Sequence, residues 1–145
     1  MVKKIYIASD HAGLELKKVL IGRIAKIGID VEDMGPFTYD SVDYPDYAHK
    51  VSNEVSKNEN TMGVLLCGTG NGVAMTSNKW ENIRASLCWN RDIAVLARSH
   101  NDANVLCIPA RFLSYEDSID ILDYFIHTPF EGGRHEIRIN KINKQ

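Results

Sequence analysis

The segment Met62-Gly63-Val64-Leu65-Leu66-Cys67 carries no polar side chain and runs directly into Gly68-Thr69-Gly70-Asn71-Gly72. A continuous apolar run of this length marks a strand buried on both faces, which requires a layer of helices on each side of its sheet. The rest of the chain supplies those layers. Lys3 to Ser9 reads as a strand, and Leu14, Leu16, Val19, Leu20, Ile24 and Ile27 follow at near-helical spacing until Gly28 stops the helix. A short strand around Ile29 to Glu32 ends before the Gly35-Pro36 turn. After a loop that reaches Asp43-Tyr44-Pro45, a second helical stripe appears at Tyr47, Ala48, Val51 and Val55. Beyond the glycines, the pattern predicts a helix over Val73 to Trp80, a strand over Arg84 to Cys88, and a helix over Arg91 to Arg98. A strand over Val105 to Pro109 and a helix over Tyr115 to His127 complete it. Strands alternating with helices at this spacing predict an α/β fold: a doubly wound, five-stranded parallel sheet with helices on both faces, in one domain over residues 1–145.

Composition narrows the function. Lys and Arg total 17 against 19 Asp and Glu, a formal charge of -2, so nothing global attracts nucleic acid and any anion site must be local. Three cysteines, Cys67, Cys88 and Cys107, form no CxxC pair, which argues against a disulfide framework and a zinc knuckle. They read as reduced thiols of a cytoplasmic protein. The apolar run after Lys3-Lys4 is too short for a signal peptide, and no stretch is long enough for a membrane span.

In a doubly wound sheet the ligand lies beyond the carboxyl ends of the strands, where the strand order reverses. For a flavodoxin-like order that point falls between strands one and three, whose ends carry Asp10-His11 and Cys67 to Gly72. The glycines let several backbone N–H groups aim at one place before a helix, an anion cradle. The pattern lacks both the GxGxxG spacing and a P-loop lysine, so it is weak as a nucleotide signature. Cys67 stands immediately before the cradle, where oriented amides favour a thiolate. On local sequence alone it reads equally well as a small buried hydrophobe, the role expected of Cys88 and Cys107. His11 and His100 both have polar neighbours and are expected near the same sheet edge as proton-transfer candidates. Arg134 and Arg138, at i and i+4, present two guanidinium groups on one helical face, suited to a phosphate dianion or equally to a solvated tail. Arg111, just after the fifth strand, is a third basic candidate.

Taken together, Ser9-Asp10-His11-Ala12-Gly13, Asp43-Tyr44-Pro45, Cys67 to Gly72, Asn78-Lys79, His100 to Leu106 and Glu131-Gly132-Gly133-Arg134-His135 resemble ribose-5-phosphate isomerase B, a family grouped with galactose-6-phosphate isomerase. The resemblance spans essentially the whole chain. It implies a Rossmann-like, cytoplasmic enzyme of the pentose phosphate pathway that interconverts D-ribose 5-phosphate and D-ribulose 5-phosphate without metal or organic cofactor. It also implies that Cys67 is the catalytic base and His100 the ring-opening acid. Asp10, His11, the amides of Gly68, Thr69, Gly70, Asn71 and Gly72, and Asn101, Arg111, Arg134 and Arg138 become substrate-binding residues. A subtype of the family has a glutamate base directly after the glycines. Val73 occupies that place, so the chain resembles the cysteine subtype.

Ile137, Ile139 and Ile142 make the last segment too apolar for a free tail. It is expected to extend to a partner subunit in a homo-oligomer, dimer or tetramer, whose sites lie at the interface. Two other substrates, allose 6-phosphate and galactose 6-phosphate, remain open, as do a non-catalytic nucleotide-binding module and a thiol redox sensor centred on Cys67.

Overall fold

Five strands, β1 (Lys4–Ser9), β2 (Asp30–Asp33), β3 (Thr61–Cys67), β4 (Ala85–Leu87) and β5 (Val105–Pro109), pair in parallel in the order β2-β1-β3-β5-β4. The computed structural model describes residues 1–143. Between the strands run α1 (Leu14–Lys26), α2 (Tyr44–Lys57), α3 (Asn71–Ser77) and α4 (Arg91–Asn101), and after β5 come α5 (Tyr115–His127) and the short α6 (Arg134–Ile139).

Successive strand residues point to opposite faces, and the core divides accordingly. Ile5, Ile7, Val64, Leu66, Leu106 and Ile108 meet α1, α4 and α5 through Leu20, Ile24, Ala94, Ile121 and Phe125. On the other face Tyr6, Ala8, Leu65, Cys67 and Cys107 meet α2 and α3 through Ala48, Val51, Val55 and Val73. The helices thus cover both faces, as the apolar run of β3 requires. Among the described residues no helix is long and apolar enough to cross a membrane.

The strand order departs from the flavodoxin-like one, in which the fourth strand lies beside the third. Here β5 takes the inner place and β4 the edge. The reason lies in the strands themselves: β5 is buried at all five positions, whereas β4 has three residues, each only half-buried. Side-chain amides complete the short edge strand. Asn78 Nδ2 donates to the Ala85 carbonyl and its Oδ1 accepts the Ala85 N–H, at 2.9 and 2.8 Å. Asn104 Oδ1 accepts the Arg84 N–H at 2.8 Å. Because β2 still lies outside β1, the reversal of strand order stays between β1 and β3.

The loop after β2 is pinned to the carboxyl edge from beneath. Lys17 of α1, with its side chain only 1% exposed, donates to Asp33 Oδ1 and to the Pro36 carbonyl, both at 2.7 Å.

Candidate active site

At the carboxyl edge, the Asp10 N–H donates to the Leu66 carbonyl at 2.9 Å, which extends the pairing of β1 with β3 and sets Asp10 beside Cys67. Asp10 is buried, and its Oδ1 accepts the N–H groups of Ala12 and Gly13 at 2.9 and 3.1 Å, capping a single 3-10 turn over His11–Gly13. The pinned loop reaches His11, where the Val42 N–H donates to Nδ1 at 3.4 Å. That contact favours the tautomer with its proton on Nε2.

The glycine loop wraps the Cys67 thiol. Gly70 has φ of +73°, and a Cβ there would strike the Leu87 side chain and press on the backbone of Ile108 and Pro109. Only glycine fits, and in this conformation the Gly70 N–H donates to Cys67 Sγ at 3.2 Å. Asn71 N–H turns inward to Thr69 Oγ1 at 3.3 Å. Gly72 lies under Tyr44, whose ring a Cβ would strike. On the other side, the Arg111 N–H donates to the Gly68 carbonyl at 3.1 Å, and its guanidinium lies over Gly68.

The three thiols differ in their surroundings. Cys88 and Cys107 are fully enclosed; burial pushes the Cys88 thiol up to about 11 and that of Cys107 well above its ordinary value. Cys67 is 4% exposed and receives a backbone N–H from the loop. Val73 points into the core at 1% exposure, so no polar group stands at the position of the alternative base.

His100 is not at this edge, contrary to the expectation that it shares one with His11. It sits at the end of α4, which descends from the carboxyl edge to the start of β5, where Gly63 pairs with Val105 at the amino end of β3. The four residue steps of β3 from Gly63 to Cys67 put that end roughly 13 Å from Cys67 along the strand, at about 3.3 Å per residue. Its place just before β5 puts it at the amino end of that parallel strand, opposite the end that carries Cys67. Asp102 ends the helix in the left-handed conformation, φ +44°, and its carboxylate bridges Arg98 and Arg84 at 2.9 Å each.

Asn101, Arg134 and Arg138 belong to this second end as well. The Glu131 N–H donates to the Ser99 carbonyl at 3.0 Å and brings the loop before α6 against α4. Arg134, Ile137 and Arg138 are exposed on α6, and Ile142 is exposed in the turn after it. The chain therefore gathers its candidates in two groups at opposite ends of the sheet. Asp10, His11, Cys67, the glycine loop and Arg111 form one; His100, Asn101, Arg134 and Arg138 form the other.

Three neighbours carry no role in the reading from sequence. Tyr44 covers the glycine loop, while Glu131 and His135 surround His100. His135 stacks on His100 with ring centroids 4.1 Å apart, and burial, followed by the nearby His100, holds its imidazole below the usual histidine value. Although no spacing in the sequence marks a metal site, ligand atoms of His100, Glu131 and His135 lie within 4.8 Å of one another. Glu131 lies outside α6, with Gly132 and Gly133 at positive φ between it and His135, so no helical spacing could have paired them.

Fold and carboxyl edge together define a Rossmann-like α/β protein with a thiol at the topological switch point of its sheet. The chain belongs to the ribose/galactose isomerase family, whose sequence model matches residues 5–142. It is 38% identical over 141 residues to ribose-5-phosphate isomerase B of Escherichia coli strain K12, covering 97% of this chain and 95% of that protein. The crystal structure of a ribose 5-phosphate isomerase from Thermotoga maritima superposes with a TM-score of 0.96 at 50% identity, covering 99% of each chain. Ribose-5-phosphate isomerase B of Mycoplasma genitalium, solved with bound ribulose-5-phosphate, gives a TM-score of 0.95 at 45% identity, covering 98% of this chain and 95% of that one.

Proposed function

We propose that the chain is an aldose–ketose isomerase that interconverts D-ribose 5-phosphate and D-ribulose 5-phosphate through an enediolate, with Cys67 as the base. The observation that carries the role of Cys67 is its position: a thiol at the switch point, receiving a backbone N–H at 3.2 Å from a turn only glycine can make. Such a donor favours the thiolate. The substrate follows from the relatives, one of which holds ribulose-5-phosphate.

The thiolate takes the proton from C2 of the open-chain aldose, and the electron pair of that C–H bond becomes the C1–C2 double bond as negative charge moves to the carbonyl oxygen. The hydroxyl proton of O2 passes to O1, the thiol returns its proton to C1, and the O2 electron pair makes C2 the carbonyl carbon. A thiolate is a weak base for such a carbon acid, so the developing oxyanion must be met by fixed donors. Loss of one such donor elsewhere costs roughly 3 to 4 kcal/mol. With the Gly70 and Asn71 N–H groups already donating to Cys67 Sγ and Thr69 Oγ1, the amides of Gly68, Thr69 and Gly72 supply them, while Asp10, Asn101 and Arg111 bind sugar oxygens. Arg134, Arg138 and His11 hold the phosphate, using binding energy far from the reacting carbons to align them.

Ribose 5-phosphate is mostly a closed ring in water, and His100 opens it. Since His100 and Cys67 of one chain are separated by the length of the sheet, the complete site joins the carboxyl edge of one chain to the His100 end of another. A homo-oligomer with sites at the interface follows, and the exposed Ile137 and Ile142 of the last segment are apolar surface for it to cover.

The deciding assay is conversion of ribose 5-phosphate by the wild type and by Cys67→Ala, with allose 6-phosphate and galactose 6-phosphate in parallel. Expected is efficient turnover of the pentose phosphate that the substitution removes. Undiminished turnover in Cys67→Ala, or preference for a hexose phosphate, would contradict it.

A further inference from the structure

Proton transfer at His100 leaves a feature beside it unused. Glu131 and His135 converge on this residue: the Glu131 carboxylate is 3.9 Å from His100 Nε2 and 3.7 Å from His135 Nε2. Both separations exceed hydrogen-bond length. The carboxylate thus stands between two imidazoles without bonding directly to either, and one ligand atom from each residue lies within 4.8 Å of the others.

We propose that His100, Glu131 and His135 form a binding site for a divalent transition-metal ion of the zinc type, and that its occupation inhibits the isomerase by capturing His100. The inhibitory part rests on the ring-opening role of His100 given above; the binding part does not. Two imidazoles and one carboxylate, with a fourth position left for water, make a tetrahedral zinc donor set. Bonds of about 2.0 to 2.2 Å to such an ion place its ligand atoms roughly 3.3 to 3.6 Å apart, so the carboxylate needs only a small closure toward each ring. The larger adjustment falls on His100. Its ring lies parallel to that of His135, with 10° between the planes, so their in-plane lone pairs run side by side. Convergence needs a turn of the His100 ring about its Cβ–Cγ bond.

The surroundings permit that division of labour. His135 is 7% exposed and fixed by packing. His100 is half-buried at the last turn of α4, with solvent on one side. Glu131 has its backbone tied to Ser99 and an exposed carboxylate free to close. Arg134 and Arg138 add positive charge to this end and oppose a dication, so the ion loads and leaves reversibly. An imidazole nitrogen bound to metal has no lone pair with which to exchange a proton, so capture stops ring opening. Ribulose 5-phosphate, whose O5 is esterified, cannot close a furanose ring and enters as an open chain. Capture removes the opening of the aldose ring and, in the reverse direction, its closure.

Calorimetric titration of the metal-free chain with zinc chloride tests binding separately from catalysis. One zinc per chain is expected, with affinity lowered at least about tenfold in Glu131→Gln and in His135→Asn and kept in Cys67→Ser. Cobalt in place of zinc should give the visible bands of a tetrahedral site without thiolate charge transfer. Circular dichroism identifies any variant that fails to fold, and the exposed Glu131 supplies the substitution least exposed to that problem. Absence of saturable binding, or binding lost in Cys67→Ser and kept in Glu131→Gln, overturns the site. In the rate assay zinc should slow conversion of ribose 5-phosphate, with recovery on adding chelator and with little slowing in Glu131→Gln; equal slowing of the wild type and Glu131→Gln overturns capture of His100. Zinc binding by a chain without isomerase activity refutes the isomerase and leaves the metal site, whereas activity without zinc binding does the reverse.

Discussion

Substituting alanine for Gly70 strikes the turn that holds Cys67, and its cost follows from two terms. A left-handed conformation costs a residue with a Cβ about 1 to 2 kcal/mol. The new methyl also drives into Leu87 and lies 3.2 Å from backbone atoms of Ile108 and Pro109. Those backbone atoms belong to the inner strand β5 and its end, so relief must come from the glycine loop or from Leu87, and overpacking of this kind costs about 1 to 3 kcal/mol. The sum, roughly 2 to 5 kcal/mol, lowers the Tm of a chain this size by about 5 to 15 °C. Any shift of the loop also displaces the N–H that meets Sγ, so turnover should fall by about 10² or more. Gly22 is the matched control: it lies on the exposed side of α1, and a Cβ there meets nothing within 4 Å. Gly22→Ala should stabilise by about 0.5 to 1 kcal/mol. Thermal circular dichroism gives both midpoints, and initial rates are taken well below either. A Gly70→Ala midpoint within about 2 °C of the wild type, with turnover intact, would refute the role given to this turn.

Alkylation should distinguish the thiols. At neutral pH iodoacetamide should modify Cys67 first, with bound ribulose 5-phosphate protecting it. Cys88 and Cys107 should stay unmodified, because a raised pKa keeps them protonated and burial encloses them; peptide mapping showing Cys88 labelled first would contradict this. Lys17→Met leaves the Asp33 carboxylate and the Pro36 carbonyl without their buried partner. It should cost about 3 to 5 kcal/mol in chemical denaturation, and a loss under about 1 kcal/mol would show that the loop does not depend on it.

Much of the fold could be read from residues that have only one good environment. The apolar run of β3 demanded two covering layers, and the stripes Leu16-Leu20-Ile24 and Ala48-Val51-Val55 supplied helices on opposite faces. The order of β4 and β5 was not legible, because both read as short apolar strands; burial of every β5 residue and the side-chain amides of Asn78 and Asn104 around β4 become visible only in three dimensions. Asp10, Cys67 and the glycines were legible together because the switch point of a parallel sheet fixes which strand ends meet. His100 follows the same geometry with the opposite outcome. A residue just before a strand lies at the end opposite to one just after it, which places His100 away from Cys67; Arg134 and Arg138 share that end because the loop before α6 is tied to α4. Tyr44 stood in the Asp43-Tyr44-Pro45 segment without a role, because its contact with the loop depends on Gly72 having no side chain.

That separation is the central claim: a working site takes Cys67 from one chain and His100 from another. Coexpression of Cys67→Ala with His100→Asn tests it most directly, with ribose 5-phosphate as substrate and each variant alone as baseline. In a two-fold symmetric dimer assembled at random, half of the molecules pair the two variants, and each of these has one site with both native groups and one with neither. Activity should recover to about a quarter of the wild type. If both residues served a site within a single chain, every site would carry one lesion, and the mixture would show no more activity than the two variants measured separately.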